Sequence, residues 1–461
     1  MRLSFIRESV HALAPAGESD LELTGVSTDS RRIRPGELFA ALSGDHFDGH
    51  DYIGAAVAQG CAAVLAQRPP ATPVAVPVVL VPDVLHALGQ AGTAWRRRIA
   101  PVTLAVTGSS GKTTVKEMIA TCLARQFARI HATSGNLNNH IGVPLTLLAL
   151  PADCQAMVVE MGMSAPGEIA HLTRLAQPDL GVVTNIQPAH MAAFASMREV
   201  ALAKGELFAN LPADGTCLIP AHDANAATLR EQAAGRQVVT YGPVPEAMVR
   251  WEPEPGTEGI CGTIRWSDGV GAVIRLGPFG PHMILNALAA ASAARAAGVS
   301  PEAIAAGLSG FAPLSGRGIV HRLLTSQGLE LSVIDDTYNA NPGSTRAALI
   351  ALGARPAAGR RVAILGDMLE LGEQAEELHR GLAEELRQSG VELLITAGPL
   401  MRALHDAVTG MPDLESHHQP DPASWVGNLL PLLRNRDAIL VKGSRGMRME
   451  RLVKDLMNHA V

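Results

Sequence analysis

The sequence predicts an α/β protein of three domains. These are a small α/β N-terminal domain over residues 1–83, a central doubly wound domain over 84–314 built around a phosphate loop, and a C-terminal Rossmann-like domain over 315–461. Three observations carry that expectation. The chain has 461 residues, room for more than one unit of about 100–200 residues. Its apolar runs lack period-2 alternation, as parallel strands covered on both faces require, and helical stretches separate them. That βαβ rhythm occurs twice, over about 102–314 and again over about 315–461.

Taken in order, residues 1–83 mix short strands and turns around the polar loop TDSRRIRPGELFAALSGDHFDGHDYI. DVLHALGQAGTAWRRRIA follows as a helix ended by Pro101, either a hinge or the first helix of the next domain. VTLAVTG, AMVVEMG and LGVVTNI read as buried strands, and KTTVKEMIATCLARQF and PLTLLAL as helices between them. Residues about 220–280 are turn-rich, with short segments such as GTIRW and AVIRLG, and are expected to form a small β insert. ILNALAAASAARAAG is an Ala-rich helix closed by Gly298. LSVIDD, RVAILGD, ELLITAG and AILVKGS are the strands of the second α/β unit.

Composition narrows the function. Hydrophobic residues make up 47% and aromatic residues 3%, so the cores rest on Ala, Leu, Val and Ile. A net charge of −6, a pI near 6.2 and thinly spread basic residues argue against nucleic-acid binding. The five Cys are scattered without a CxxC pair, which fits a reducing cytoplasm rather than a disulfide framework or zinc knuckle. The charged N-terminus is not a signal peptide, and no run is long enough to span a bilayer, so a cytoplasmic protein without membrane insertion is expected.

The chemistry starts at VTLAVTGSSGKTT, where an apolar strand enters a Gly-rich turn and a helix begins at the lysine. Glycines let the backbone approach phosphates, helix N-terminal N–H groups face the anion, Lys112 adds a compact charge, and Thr113 is placed to ligate Mg²⁺. The spacing falls short of the full Walker form, because Val106 stands where that pattern has Gly. In open α/β sheets ligands sit outside the carboxyl ends of strands. Glu160, ending AMVVE, therefore reads as an Mg²⁺-coordinating acid, and His190, just after LGVVTNI, faces the same edge. Lys204 lies on the helix that follows. Taken singly, such a His or Lys is more often a surface residue; a shared edge with the phosphate loop is what singles these out. Asn138 and Asn139, in the loop TSGNLNNHIGVP, either reach substrate or form an ordinary Asx-turn cluster.

Together, TGSSGKTT, GNLNNHIGVPLTLL, VVEMG, TNIQPAH and AKGELF resemble the middle domain of the Mur ligases. STDSRRIRPGELFAALSGDHFDGHDYI resembles the uridine-nucleotide domain of the same group, and DDTYNANPGS, AILGDMLELGE and KGSRGM are similar to its C-terminal domain. The resemblance runs nearly the whole chain in order. It implies a P-loop ATPase-like central domain, ATP and Mg²⁺ as cofactors, and formation of an amide bond between UDP-N-acetylmuramoyl-tripeptide and D-alanyl-D-alanine by a monomer. It implies that Gly108, Ser109, Ser110, Gly111, Lys112, Thr113 and Thr114 hold ATP, with Asn286 at the adenine, Arg317 at the nucleotide, and Asp336 and Asn339 closing over it. Thr113, Glu160 and His190 would hold Mg²⁺, and Lys204 occupies the position that the family carbamoylates to a carboxylate-like ligand. Catalytic roles fall on Lys112, Lys204 and His190. Ser27, Asp29, Ser30, Arg31, Gly44, Asp45, Asp48, Gly49 and His50 match the precursor-binding surface, and Asn138 and Asn139 complete the substrate set.

The rivals are a sister ligase of the same superfamily, a P-loop kinase acting on a small molecule, and a non-catalytic nucleotide-gated module. A kinase needs neither an amine co-substrate nor a second α/β domain.

Overall fold

The computed structural model describes every residue except 14–19, 45–46, 189–192, 255–259, 278–279, 281, 357 and 461. The fold is α/β in three domains, each with its own sheet.

The N-terminal sheet has the order β1-β2-β5-β6 and is parallel throughout; the strands are β1 (Gly25–Ser27), β2 (Glu37–Ala40), β5 (Ala63–Ala66) and β6 (Val78–Leu80). A short hairpin, β3 (Ser43–Gly44) and β4 (Phe47–Asp48), stands apart from it. Helices α1 (Leu3–Ser9), α2 (Ile53–Ala58) and α3 (Val84–Ile99) follow in chain order. Asp83 caps α3 by accepting from the His86 N–H at 2.9 Å, and Ala100 ends it in the left-handed region just before Pro101. The helix serves two cores. Val84, Ala87, Leu88 and Ala91 join the N-terminal cluster, whereas Trp95 joins the central one and donates its indole N–H to Leu150 O at 2.9 Å. It is thus a shared strut rather than a free hinge.

The central sheet has nine strands in the order β15-β14-β13-β12-β11-β10-β7-β9-β8. In chain order they are β7 (Val102–Thr107), β8 (Ile130–Ala132), β9 (Ala156–Glu160), β10 (Leu180–Val183), β11 (Thr216–Pro220), β12 (Gln237–Tyr241), β13 (Val249–Pro253), β14 (Ile260–Trp266) and β15 (Gly271–Leu276). The run from β8 to β13 is parallel, and β14 and β15 are antiparallel. The expected separate insert over 220–280 is therefore corrected: these residues extend the main sheet. β12 offers an open parallel edge that β13 takes, and the hairpin follows. β15 alternates buried and exposed positions, whereas β9, β10 and β11 are buried throughout, which is why the periodicity changes along the chain.

Helices α4 (Lys112–Leu123), α9 (His282–Ala296) and α10 (Pro301–Ser309) cover one face of this sheet. α5 (Gly142–Leu148), α6 (Glu168–Ala176), α7 (Met197–Ala209) and α8 (Ala226–Gln232) cover the other. Six alanines of α9 are buried, so small side chains let this helix lie close to the sheet and α4.

The C-terminal sheet has the order β16-β17-β21-β18-β19-β20, with β16 (Ile319–Leu324) antiparallel to β17 (Glu330–Asp336) and every other pair parallel. The remaining strands are β18 (Arg361–Gly366), β19 (Leu393–Ala397), β20 (Glu415–Gln419) and β21 (Ala438–Lys442). α11 (Pro342–Ala354), α12 (Ala375–Arg380), α13 (Ala383–Gln388) and α14 (Arg402–Val408) lie on one face, and α15 (Glu450–Asn458) on the other. β21 lies between β17 and β18, and its parallel pairing with β17 sets the carboxyl ends of these two strands side by side, with Asp336 opposite Lys442. Among the described residues no helix is long and apolar enough to cross a membrane.

Candidate active site

Sheet register assembles the first part of the site. Val106 of β7 pairs with Glu160 of β9, so the carboxylate emerges beside the start of the phosphate loop. Gly108 adopts a φ of +148°, and a β-carbon there would overlap the Thr184 hydroxyl, which donates to Ser110 O at 2.6 Å. Gly111, at φ +78°, leaves room for Asn286 Oδ1. As N-cap of α4 it brings no capping side chain, so the backbone N–H groups of the first turn face the cleft uncapped. Ser109 and Ser110 are tied down by Asn185 and Gln187: Ser110 N donates to Asn185 Oδ1 at 3.0 Å, and Ser110 Oγ to Gln187 Oε1 at 2.9 Å. Ser109 N donates to Asn185 O at 3.0 Å.

Lys112 Nζ donates to Gly108 O at 2.8 Å. Burial pushes its pKa down; Glu160 pulls it up, and the nearby Arg317 charge pushes it further down. Thr113 Oγ1 donates to Glu160 Oε2 at 2.7 Å and Asn138 Nδ2 to Glu160 Oε1 at 2.8 Å, so both carboxylate oxygens are oriented. Lys204, on α7, is buried, and its pKa falls well below the ordinary lysine value, through burial first and then the Lys112 charge. His190 lies outside the described residues.

The second part comes from the C-terminal domain. A cleft of about 1130 Å³ separates the phosphate loop from the ends of β17 and β21. Asp336 and Lys442 form an ion pair on its C-terminal wall at 2.6 Å, and Lys442 Nζ also donates to Asn339 O at 2.9 Å. Arg317 and Tyr338 line the same cleft, their guanidinium and ring centre 3.9 Å apart. Asn341 caps α11, and the first turn of that helix meets Gln187: a β-carbon at Gly343 would collide with the Gln187 amide. Asn286 and Thr114 also line the cleft, as do Asn138 and Asn139; Asn139 Oδ1 accepts from Gly142 N at 2.9 Å, the Asx-turn role that the sequence left open.

The structure thus gathers the expected phosphate-loop residues from Ser109 to Thr114, with Glu160, Asn286, Arg317, Asp336 and Asn339, into one cleft; Gly108 and Lys204 do not line it. Lys442, Tyr338, His222 and His282 were not singled out from the sequence, although Lys442 ends the apolar run AILVK and so obeys the same strand-end rule as Glu160. His222 and His282 each keep a buried Nδ1 without a hydrogen-bond partner among the described residues, and burial lowers both pKa values.

The expected precursor-binding residues do not line this cleft. Asp29 is held by Arg31 at 2.9 Å, which lowers its pKa to about 2. Ser27 Oγ lies 3.2 Å from both the backbone N–H and carbonyl of Asp29, and Ser30 is buried. Asp48 accepts from Ser43 Oγ at 3.0 Å and pairs with Arg68 and His50, contacts that hold its carboxyl well below the usual range. His50 is buried, with Nε2 accepting from Gln67 N at 3.0 Å. Its Nδ1 therefore carries the proton that it shares with Asp48 at 2.6 Å. Gly49 sits against the Leu42 backbone, and Gly44 pairs with Phe47 in the hairpin. Asp45 lies outside the described residues.

A phosphate loop on one doubly wound sheet, faced across a cleft by the strand ends of a second, defines a P-loop α/β enzyme whose site is completed by its C-terminal domain. The chain belongs to the Mur ligase family. Residues 22–96 match the model for the Mur ligase family, catalytic domain; 106–294 match the Mur ligase middle domain; and 321–445 match the Mur ligase, glutamate ligase domain. The UDP-N-acetylmuramoyl-tripeptide–D-alanyl-D-alanine ligase of Bacillus subtilis is 37% identical over 442 residues, 94% of this chain and 93% of the relative. The Escherichia coli ligase of the same name is 35% identical over 96% of this chain and 95% of its own. Among solved structures, MurF from Acinetobacter baumannii superposes with a TM-score of 0.87 at 31% identity, over 99% of this chain and 98% of that one. MurF ligase from Thermotoga maritima in complex with ADP gives 0.81 at 26% identity, over 94% and 97%.

Proposed function

We propose that this chain uses ATP to join D-alanyl-D-alanine to UDP-N-acetylmuramoyl-tripeptide, giving the pentapeptide precursor of peptidoglycan with ADP and phosphate. The observation that carries the reading is the shared cleft, where Lys112 and the uncapped turn of α4 face Asp336, Lys442 and Arg317 of the second sheet. In this reading residues 1–83 bind the nucleotide precursor, 84–314 bind ATP, and 315–461 close over both.

A carboxylate is a poor acyl donor because oxide cannot leave. Its oxygen attacks the γ-phosphorus of ATP, the bond to ADP breaks, and an acyl phosphate forms. The dipeptide amine then attacks the acyl carbon, loses a proton, and expels phosphate as the amide forms. The first step brings two anions together, and Lys112 and Arg317 offset that repulsion while the uncapped N–H groups orient the phosphates. Asn286, facing Gly111, takes the adenine side, and Asp336 and Asn339 meet the nucleotide as the domains close.

The Thr113 hydroxyl and Glu160 carboxylate, 2.7 Å apart, are hard oxygen donors of the kind that Mg²⁺ takes beside a triphosphate. His190 and a carbamoylated Lys204 complete the set, and the ion supplies charge neutralisation when bound. Burial favours the neutral amine of Lys204, the form that reacts with carbon dioxide. Ser27, Asp29, Ser30, Arg31 and the 44–50 hairpin present the precursor-binding surface, with Asn138 and Asn139 at the edge of the cleft. Five buried cysteines, none in a disulfide among the described residues, fit a cytoplasmic enzyme, and a cleft built within one chain fits a monomer.

The test is phosphate release from ATP and Mg²⁺ with UDP-N-acetylmuramoyl-tripeptide, with and without D-alanyl-D-alanine. Release that requires the dipeptide, with a product heavier by one dipeptide less water, supports the ligase. Release that ignores the dipeptide points to a kinase or sister ligase and refutes the assignment.

A further inference from the structure

Two turns from different parts of the chain are locked together at the seam of the cleft. Gly316 N donates to Asp335 Oδ2 at 3.1 Å, Gly318 N to Asp335 O at 2.7 Å, and Tyr338 N to Gly316 O at 3.0 Å. Thr337 Oγ1 holds the other Asp335 oxygen at 2.6 Å. Gly316 and Gly318 have φ values of +74° and +87°, and a β-carbon at Gly316 would press on Tyr338. The turn that projects Arg317 is thus seated directly on the turn that projects Tyr338. The Arg317 guanidinium lies 3.9 Å from the centre of the Tyr338 ring, and that of Arg445 lies 5.5 Å from it. Among the described residues the Arg317 guanidinium has no hydrogen-bond partner, and its charge reaches Lys112. Its N–H edge is therefore uncommitted at the place where the lysine of the phosphate loop also points.

We infer that Tyr338 is a positioning residue for the ligase reaction: its ring is the platform that holds the Arg317 guanidinium flat and aimed at the transferring phosphoryl group. A free arginine has many rotamers, and a planar guanidinium stacked on an aromatic face keeps few of them. The ring does for Arg317 what a carboxylate partner would do, without neutralising the charge that the phosphates need. The inference rests on the proposed role of Arg317, so both residues enter the test.

Steady-state kinetics of the full chain, with melting temperatures alongside, should show Tyr338→Leu losing about 5- to 30-fold in kcat with a smaller change in the KM for ATP. Tyr338→Phe should recover most of that loss, because the ring and not the hydroxyl is used. Arg317→Ala should lose more, and adding Tyr338→Leu to it should cost little further, since the ring then has nothing to hold. Arg317→Lys keeps the charge but not the plane, and should lose as much as Tyr338→Leu; it carries the test if the leucine variant does not fold. Full activity in Tyr338→Leu or in Arg317→Lys, or additive losses in the double variant, overturns the platform role. An Arg317→Ala variant that keeps full activity refutes the reading of Arg317 itself.

Discussion

Replacing Lys112 with Met keeps most of the side chain's length and removes its charge. In the native fold this lysine is half-buried at the cleft, its charged form is disfavoured, and it donates to Gly108 O at 2.8 Å. Losing a charge-assisted hydrogen bond costs about 2 kcal/mol, while no longer burying a cation returns several kcal/mol. The expected net effect on the ligand-free protein is a gain of about 1 kcal/mol, or about 2–4 °C for a unit the size of the central domain. The sign follows from linkage. A lysine whose folded pKa is lowered destabilises the fold below that pKa, and the penalty fades as pH climbs towards the ordinary value of about 10.4. The variant's advantage should therefore be largest near neutral pH and shrink in alkali. Catalysis should move the other way. A unit charge about 4 Å from a developing phosphoryl charge, at an effective dielectric of about 20, is worth about 4 kcal/mol, so kcat/KM should fall by about 10²–10³. ATP at 100 times its Kd should raise parental stability by about 2.7 kcal/mol, and the variant should lose most of that shift. Coupled ADP release and thermal melting with and without ATP read both arms. Turnover within tenfold of the parent, or a ligand-free variant that no longer folds, refutes the argument.

Lys204→Ala should abolish most turnover and regain part of it with short carboxylic acids, which stand in for a carbamate; indifference to such acids in a rate assay contradicts carbamoylation. Gly108→Ala forces a β-carbon onto the Thr184 hydroxyl at a backbone angle that alanine resists, so the central domain should lose about 2–4 kcal/mol and its stabilisation by ATP. A normal ATP shift in a melting experiment would rule that out. Gly343→Ala should displace the Gln187 amide from Ser110 and lower kcat about tenfold, and Gln187→Ala alone should cost about as much because it removes the same hydrogen bond. If either variant keeps the parental kcat, the two domains do not communicate through this contact.

The central site was legible because its positions are set by short-range rules. A strand that ends in Gly-rich backbone and reopens as a helix can point its lysine to only one place, and a parallel neighbour must end beside it; Val106 opposite Glu160 is that rule in coordinates. The C-terminal half was less so. Lys442 meets Asp336 because β21 lies between β17 and β18, a strand order that no local periodicity carries. β13 to β15 read as an insert because alternation reports one exposed face without saying whose edge the strand joins. His50 shows a different limit. The resemblance puts it at the precursor-binding surface, and both ring nitrogens are spent inside the domain, on Asp48 and on the Gln67 N–H, so its part there is to shape the loop. A donor list cannot be read from residue types when the partner is a backbone amide some 17 positions away.

Cations crowd one another around the phosphate-loop lysine, and that crowding ties fold to function. Arg317 weakens the charged form of Lys112, Lys112 weakens that of the buried Lys204, Glu160 offsets Lys112 in part, and Lys442 is already paired with Asp336. The charged forms of both lysines are weakened in this way, which a site selected for stability alone would avoid. A triphosphate acts the other way on Lys112: it favours the charged form, so nucleotide binding should draw protons into the protein. A carbamate on Lys204 would act in the same direction by adding an anion whose field reaches Lys112. Stability is thus given up in the free protein at the residues where transition-state charge is later stabilised, and the sheets around them, buried on both faces, are what hold so unfavourable a cluster in place.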